Sequence, residues 1–373
     1  MRWEEATLRK LVKIKNGKDH KKLHDGIYPV YGSGGIIRHV DKFLYNKESV
    51  LLPRKGTLNN IQFANEPFWT VDTCYYTEVN TNKVIPYFLY SSLQRFDILS
   101  LNTGAAVPSM TFDKYYSIKI EVPPLETQQK IVEILSAYDS LIENNNKQIK
   151  LLEEAASRLY KEWFVNFRFP GHQNVKIVNG VPEGWREAPI CEIISFLNGY
   201  AFKSKEFSDD SKYKIATIKN VQDGYFNPNP ANGIDKIPEK MAAHCKLKKG
   251  DILLSLTGNV GRVCIVHCEG FLLNQRVAKL ESNYKSFTYC LFRNSNFARQ
   301  IKNLANGTAQ KNLSPIKAGQ IKFVKPPEEL LNRFEDVSSL CFQHILMLKS
   351  QIELASEARD RLLPKLMSRE IEV

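Results

Sequence analysis

The sequence carries a long apolar heptad pattern twice, and each copy directly follows a pair of prolines. The first occupies residues 125–164 after Pro123-Pro124, and the second occupies residues 328–363 after Pro326-Pro327. Apolar side chains recur in both at alternating steps of four and three residues, which is the spacing of a coiled-coil seam. Because a helix of ~40 residues is not held by propensity alone, the pattern predicts two long helices that bury their seams against each other.

The two seams coincide when the first is shifted by 203 positions. The first consists of Ile131, Leu135, Tyr138, Ile142, Asn145, Ile149, Leu152, Ala156, Leu159 and Trp163. The second consists of Phe334, Ser338, Cys341, Ile345, Leu348, Ile352, Ala355, Arg359, Leu362 and Leu366. Asn145, Ser338 and Arg359 interrupt the apolar pattern. Polar seam residues can fix register, which is one hypothesis for Asn145, and exposure to solvent is the alternative. Pro364 is expected to end or kink the second helix.

Shorter matches extend the repeat upstream of the helices. Asn16-Gly17 matches Asn198-Gly199 at an offset of 182 positions, whereas Met110-Thr111 matches Leu313-Ser314 at an offset of 203. Residues 103–106 also match residues 306–309 at the larger offset. The growing offset predicts about twenty extra residues inside the second globular segment. Chance similarity of two ordinary segments is the alternative to a true duplication.

A duplicated chain of 373 residues suits two domains of ordinary size. We predict an α+β protein with two mixed α/β domains, related by pseudo-two-fold symmetry and separated by two long helices in an antiparallel coiled coil. The expected domains are residues 1–124 and 169–327, and the helices occupy residues 125–168 and 328–373. Strands are expected at residues 49–53, 68–72, 75–77 and 119–122, and again at 251–256 and 321–324. Helical segments are expected at residues 87–93 and 287–305.

The positive charge is concentrated in the two globular segments. The chain has a net charge of +12, to which these segments contribute +5 and +11 while the helix segments contribute −1 and −3. A basic pair of domains suggests a polyanionic partner such as nucleic acid, although the lysines could also serve solubility alone. No apolar run approaches the ~18 residues of a membrane span, and the N-terminus lacks the apolar core of a signal peptide. The seven scattered cysteines fit reduced thiols, so a cytoplasmic location is expected.

Several sequence fragments, taken in order, resemble the specificity subunit of type I restriction–modification systems. They are GIYPVYGSGG at residues 26–35, TGAAVPSM at 103–110, VPPLETQQKI at 122–131, VPEGW at 181–185 and RLLPKLM at 361–367. The second copy departs from this pattern, since EELL at residues 328–331 replaces the usual Glu-Gln before the helix. The match of individual residues to the family's pattern is therefore weaker in the second copy than in the first.

The resemblance implies a non-catalytic DNA-recognition subunit. Each domain would be a target recognition domain that reads one half of a bipartite double-stranded sequence. The helices would set the spacer and dock two modification (methyltransferase) subunits, and restriction (translocase and nuclease) subunits would join them. S-adenosylmethionine, ATP and magnesium would belong to those partners, and this chain would bind no cofactor. Alternatives are a subunit of a methylation-only system, a self-contained DNA methyltransferase or nuclease, and a coiled-coil scaffold.

Candidate DNA contacts are basic, amide or hydroxyl side chains, most of them in glycine-containing loops that follow buried strands. Arg and Lys can pair with guanine edges and Asn and Gln with adenine edges, but most such contacts reach phosphates. The first-domain candidates are Arg38, His39, Arg54, Lys55, Thr57, Asn59 and Asn60. The second-domain candidates are Lys203, Lys205, Lys219, Asn220, Thr257, Asn259, Arg262, Asn274, Gln275, Arg276, Lys311 and Asn312.

The sequence offers no enzyme signature. It contains no Gly-x-x-x-x-Gly-Lys-Ser/Thr motif, and residues 227–230 form a turn rather than the Asp/Asn-Pro-Pro-aromatic motif of an amino-methyltransferase. Cys264, His267 and Cys268, with His244-Cys245 upstream, lack the regular spacing of zinc ligands. Cys264 is expected in a core strand, and no metal site is predicted.

Overall fold

The computed structural model describes residues 3–102, 108–208, 211–229, 232–305 and 312–373. Its contacts divide into two compact units, one formed by residues 1–141 and 355–373 and the other by residues 142–354. Each unit therefore contains one globular domain together with a segment of each long helix.

The first globular domain is built from short strands and three short helices. These are β1 (Glu4–Thr7), α1 (Leu8–Leu11), β2 (Val12–Asn16), β3 (Asp25–Gly32), β4 (Gly35–Val40), β5 (Ser49–Pro53), β6 (Gln62–Ala64), β7 (Trp69–Thr70), β8 (Cys74–Val79), α2 (Pro86–Leu93), α3 (Phe112–Tyr116) and β9 (Lys119–Val122). The long helix α4 (Leu125–Tyr160) follows, and one π-helical turn, Lys161–Val165, extends it. The domain's sheets have the orders β2-β8-β5-β6, β4-β3-β7 and β1-β9.

The second globular domain repeats this plan. Its elements are β10 (Ile177–Val178), β11 (Val181–Pro182), β12 (Arg186–Pro189), β13 (Ser195–Asn198), β14 (Tyr213–Ala216), β15 (Gly233–Ile234), β16 (Ile252–Ser255), β17 (Val263–Ile265), β18 (Phe271–Leu273), β19 (Val277–Glu281), α5 (Lys285–Arg293), α6 (Ser295–Asn303), α7 (Pro315–Gly319) and β20 (Lys322–Lys325), followed by the long helix α8 (Glu328–Met367). Its sheets have the orders β13-β19-β16-β17, β15-β14-β18 and β12-β20. A parallel strand pairing is also shared, β3 with β7 and β14 with β18. The predicted duplication is confirmed.

The matching Asn-Gly pairs have the same physical cause in both domains. A Cβ atom on Gly17 would lie 2.0 Å from the carbonyl oxygen of Val71, and one on Gly199 would lie 2.2 Å from that of Asn274. Any side chain at either position would collide with a neighbouring backbone, so glycine is required. The extra residues of the second domain lie mainly between β14 and β16, which are separated by 35 residues, whereas 16 separate β3 from β5.

The sequence located the main buried strands correctly. β5 is buried along its whole length, and β8, β9, α2, β16 and β20 lie where strands or a helix were expected. The strand expected at residues 68–72 contains only Trp69–Thr70. The helical stretch expected at 287–305 is broken at Asn294, because its side-chain oxygen accepts hydrogen bonds from the backbone N–H groups of Asn296 and Phe297 and so begins α6.

The long helices pair in antiparallel orientation within each unit. In the first, Arg359 Nη1 contacts Asp139 Oδ1 at 2.6 Å. In the second, Asn145 Nδ2 donates to Gln351 Oε1 at 3.1 Å, and Ile149 packs with Ile345 and Leu348. As the residue number rises along α4, the number of its partner on α8 falls, which is the sign of an antiparallel pair. Every predicted seam position is buried or half-buried. The structure thus confirms the seam and its antiparallel pairing.

The polar seam residues do not face solvent. Asn145 and Ser338 are buried, and Ser338 Oγ donates to the Phe334 carbonyl one turn earlier at 2.6 Å. Half-buried Arg359 reaches Asp139, whose second oxygen accepts a hydrogen bond from the Tyr87 hydroxyl at 2.5 Å. Each polar group therefore has a partner inside its unit, which excludes the solvent-facing alternative.

Helix α8 does not end at Pro364. It continues to Met367, so of the two effects expected of the proline, an end or a kink, the end is wrong. Leu366 and Met367, which are 2% and 3% exposed, join the core of the first unit with Ile131 and Leu135. Burial of these two side chains favours the last turn although the proline cannot donate its backbone hydrogen bond.

Candidate nucleic-acid interface

In the first domain, the loop that follows the buried strand β5 is joined to two other loops. Lys55 pairs with Ser109, and the backbone N–H of Met110 donates to the carbonyl of Arg54 at 2.9 Å. Asn60 Nδ2 donates to the Ser33 carbonyl, in the turn between β3 and β4, at 2.8 Å. Three loops from distant parts of the sequence therefore lie side by side.

The second domain builds the same junction after β16. Thr257 pairs with Asn312 as Lys55 pairs with Ser109, and the Leu313 N–H donates to the carbonyl of Leu256 at 2.8 Å. The structure thus places Lys55 and Thr257 at equivalent positions, so both domains present one matching loop junction. We call it the strand-end junction: residues 54–60 with 108–110 in the first domain, and residues 256–262 with 312–313 in the second.

Arg262 is held in a fixed position at the second junction. Its Nη1 donates to Gln222 Oε1 at 2.6 Å, and the Asn259 amide, oriented with its oxygen toward Arg262, accepts from Nη1 at 3.3 Å and Nη2 at 3.1 Å. Gln222 in turn donates to the Lys219 carbonyl at 2.8 Å. Lys219, Asn259 and Arg262 therefore lie together. Sequence reasoning missed Gln222, which is 40 positions from Arg262 and belongs to no recognisable motif.

Arg54 is positioned differently at the first junction. Its Nη1 lies 3.4 Å from the Asp72 carbonyl, and its guanidinium lies 5.8 Å from the centre of the Tyr75 ring. Asn59 is exposed, and its Oδ1 accepts from the Leu99 N–H at 2.9 Å. The two junctions thus present different side chains on matching backbones.

The other candidates lie at several places. Arg276 is exposed, and its carbonyl accepts from the Leu256 N–H at 2.9 Å beside the second junction. Asn274 pairs with Tyr200. Lys203 and Lys205 belong to the β13–β14 connection. The exposed candidates are His39, Lys55, Thr57, Asn59, Lys203, Lys205, Lys219, Asn259, Gln275, Arg276 and Asn312, and the half-buried ones are Arg38, Arg54, Asn60, Thr257, Arg262 and Asn274. Lys311 and the motif residues 103–107 and 306–309 lie outside the described residues.

Two candidates are engaged within their own domain. Asn220 is fully buried, and its Oδ1 accepts from the Thr217 N–H at 2.8 Å while its Nδ2 donates to the Asn227 carbonyl at 2.9 Å. It holds the loop of residues 217–227, so its assignment as a surface contact is corrected. Arg38 is ion-paired with Asp25 at 2.6 Å, so its side chain connects strands β4 and β3.

Of the cysteines and histidines considered as metal ligands, Cys264 belongs to the core, and His267 and Cys268 belong to a cluster with a carboxylate. Cys264 is fully buried in β17, as expected. His267 and Cys268 lie next to Glu353 of α8, with ligand atoms of all three within 4.8 Å of one another. Burial, together with the positive charge of Lys349, lowers the pKa of His267 to about 4. Burial raises the pKa of Cys268 to about 12.

Residues 1–154 and 182–329 each match the family described as the type I restriction modification DNA specificity domain. The chain belongs to this family. Two matches in one chain reproduce the structural repeat, and they confirm the resemblance drawn from the sequence fragments. As a type I specificity subunit, the chain is a DNA-recognition component and not an enzyme.

Curated relatives are specificity subunits of the same class. The MjaIX subunit of Methanocaldococcus jannaschii is 25% identical over 88% of this chain and 79% of its own length. The MjaVIII subunit of the same organism is 26% identical over all of this chain and 93% of its own length. The HindI subunit of Haemophilus influenzae is 23% identical over 79% of each.

A solved structure shows the same fold. The crystal structure of the type I system S subunit from M. genitalium superposes with a TM-score of 0.63 at 19% identity, covering 98% of this chain and 96% of that chain. In the part of the chain that is described, no helix combines the length and apolar character of a bilayer span.

Proposed function

We propose that each domain of this specificity subunit reads one half of a bipartite duplex sequence through its strand-end junction. The observation that carries the proposal is the presence of the same junction in both domains with different side chains. Lys55 and Ser109 in one correspond to Thr257 and Asn312 in the other. A shared backbone with different side chains suits two readers that approach DNA alike but recognise different bases.

The charge distribution supports a duplex as the ligand. The domain segments carry +5 and +11, and the helix segments are slightly acidic. Phosphate contacts account for most of the affinity of such proteins and make it fall with salt. Half-sites on one face of DNA recur every ~34 Å, and a helix of 36 residues such as α4 spans ~54 Å. The helices can thus fix the interval between two readers.

The outer faces of the helices support docking of partner subunits. Leu151 on α4, and Leu340 and Leu354 on α8, are each about two-thirds exposed. Contiguous apolar patches on a protein surface mark interaction sites, and we propose that these side chains belong to such patches. We assign these faces to two modification subunits, which would carry S-adenosylmethionine. Restriction subunits would supply the steps that depend on ATP and magnesium. The complex would work in the cytoplasm. The chain itself would contribute recognition without a catalytic cofactor.

Methylation mapping tests the proposal. The chain is co-expressed with a type I modification subunit, and methylated bases are mapped across the host genome. The expected result is one bipartite motif with an unread spacer of constant length. A continuous motif, or methylation or cleavage by the purified chain alone, would contradict it. Duplex binding that falls steeply with salt would exclude the alternative of a coiled-coil scaffold that binds only proteins.

A further inference from the structure

His267 and Cys268 follow β17 and face one turn of the long helix α8. Their ligand atoms and a carboxylate oxygen of Glu353 all lie within 4.8 Å of one another. Among the described residues, this is the one group of three or more potential metal ligands that converges in this way. Glu353 is 85 positions from Cys268, so no local motif reveals the set.

A buried ring nitrogen at this place has no hydrogen-bond partner in the described structure. His267 is 4% exposed, and its Nδ1 is unpaired. The rings of Tyr225 and Phe226, each centred 6.0 Å from the imidazole, pack against it. Because buried polar groups nearly always have a partner, this nitrogen is suited to bind a ligand such as a metal ion.

We propose that His267, Cys268 and Glu353 bind one zinc ion that ties the second recognition domain to α8. Imidazole nitrogen, thiolate sulfur and carboxylate oxygen form the mixed donor set that zinc accepts. Zinc–ligand bonds of about 2.0–2.3 Å place tetrahedral donors roughly 3.3–3.8 Å apart. The donor atoms lie up to 4.8 Å apart, so zinc binding requires side-chain rotations that bring them about 1 Å closer together. Water takes the fourth position.

The proposed ligands themselves supply the negative charge that a divalent ion needs. The Cys268 thiolate and the Glu353 carboxylate together balance its two positive charges. The positive charges of Lys214 and Lys249 also lie near Cys268, so the two anionic ligands are needed to hold a cation there. Lys349 also faces the cluster, and its ammonium donates to the Gly224 carbonyl at 3.0 Å and lies 3.9 Å from Glu153. Lys349 thus has its own partners.

The ion would add to the contacts that already join α8 to the second domain, among them the hydrogen bond from Lys349 to the Gly224 carbonyl. At this contact Ser350 Oγ of α8 donates to the His267 carbonyl at 3.4 Å, near the upper limit for a hydrogen bond. Coordination by Glu353, one turn further along α8, would add metal–ligand bonds between helix and domain. The zinc is therefore structural: it fixes the orientation of the second reader on the helix that carries it.

Metal titration of the full chain tests this inference without DNA. The purified protein is treated with a chelator, dialysed and titrated with Zn²⁺ and, in a parallel sample, with Co²⁺. We expect one ion per chain, a sulfur-to-cobalt charge-transfer band and a higher thermal midpoint with zinc. Cys268→Ser should abolish the band, and Glu353→Gln should weaken zinc binding at least tenfold, since even second-shell changes cost 10–100-fold.

A matched cysteine variant separates the site from other thiols. Cys191 is exposed in the same unit, and Cys191→Ser should leave band, stoichiometry and zinc affinity unchanged. Circular dichroism checks that Cys268→Ser is folded, and Glu353→Gln supplies a second variant that retains the thiol. A wild-type chain that takes up no zinc, or a folded Cys268→Ser chain that binds it as tightly as wild type, overturns the site. Either result leaves the proposed DNA recognition untouched.

Discussion

At the scale of the residue, Arg262 offers the sharpest test of base reading. Its guanidinium is fixed by Gln222 and Asn259 at the second junction, and a fixed guanidinium can pair with a guanine edge. Arg262→Ala should weaken binding to the cognate duplex by ~1–3 kcal/mol and relax selectivity in one half-site only. The measurement is fluorescence anisotropy of the complex with modification subunits, on duplexes varied base by base.

Arg299 is the matched control for Arg262. It is exposed on α6 of the same unit, and Arg299→Ala removes the same charge at a position outside residues 256–262 and 312–313, although α6 itself lies beside Gly261. We expect little change in selectivity. An equal loss for all duplexes after Arg262→Ala would make it a phosphate contact, and no loss would remove it from the interface.

Asn145 tests the cost of a polar residue in the seam. Its amide is buried, and its partner Gln351 is exposed and can turn to water. Asn145→Leu should therefore raise the free energy of unfolding by about 1 kcal/mol, because buried seam asparagines give up stability for register. Denaturant midpoints measure the effect, with Asn144→Leu at an exposed neighbouring position as the control. A clearly less stable Asn145→Leu protein would show that the amide pair stabilises the helices.

Individual contacts were predictable only where they follow from local pattern. Burial of the seam and of Cys264 follows from periodicity and strand composition, and both are confirmed. Asn220 was misassigned because an amide that closes its own loop looks, in sequence, like one that faces a ligand. Gln222 and Glu353 were missed because their partners are 40 and 85 positions away.

At the scale of the element, local signals specified the long helices and the buried strands. Proline pairs precede α4 and α8, and the heptads run through both. The parallel pairing of β3 with β7 was not foreseen, because β7 contains only two residues and carries no periodicity. The path of α8 through Pro364 depends on tertiary burial of Leu366 and Met367, which overrides the local preference.

The last turn of α8 is expected to anchor the first unit. Leu366 is 2% exposed in its core, whereas Leu354 on the same helix is 66% exposed. Leu366→Ala should destabilise the first unit by ~2–5 kcal/mol through lost burial and a cavity, and Leu354→Ala should have little effect on stability. Hydrogen exchange resolves the two units separately. Equal protection of the first unit in both variants would contradict the anchoring role.

At the scale of the whole molecule, duplication was the most predictable property. The change in offset between the repeats correctly predicted an insertion in the second domain. The insertion lies between β14 and β16. The matching strand-end junctions could not be foreseen, because they join loops that are about fifty residues apart in each copy. The claim that the paired helices set the distance between two readers rests on this repeated architecture.

Lengthening both helices by one heptad tests that claim most directly. Duplicating residues 145–151 in α4 and 345–351 in α8 keeps the seam in register, because the two segments face each other. Each insertion adds about 10 Å of helix at 1.5 Å per residue, the length of about three base pairs at 3.4 Å each. Methylation mapping of the altered system should show the same two half-sites separated by a spacer longer by about three base pairs. Active methylation with an unchanged spacer, or with altered half-sites, would contradict the account.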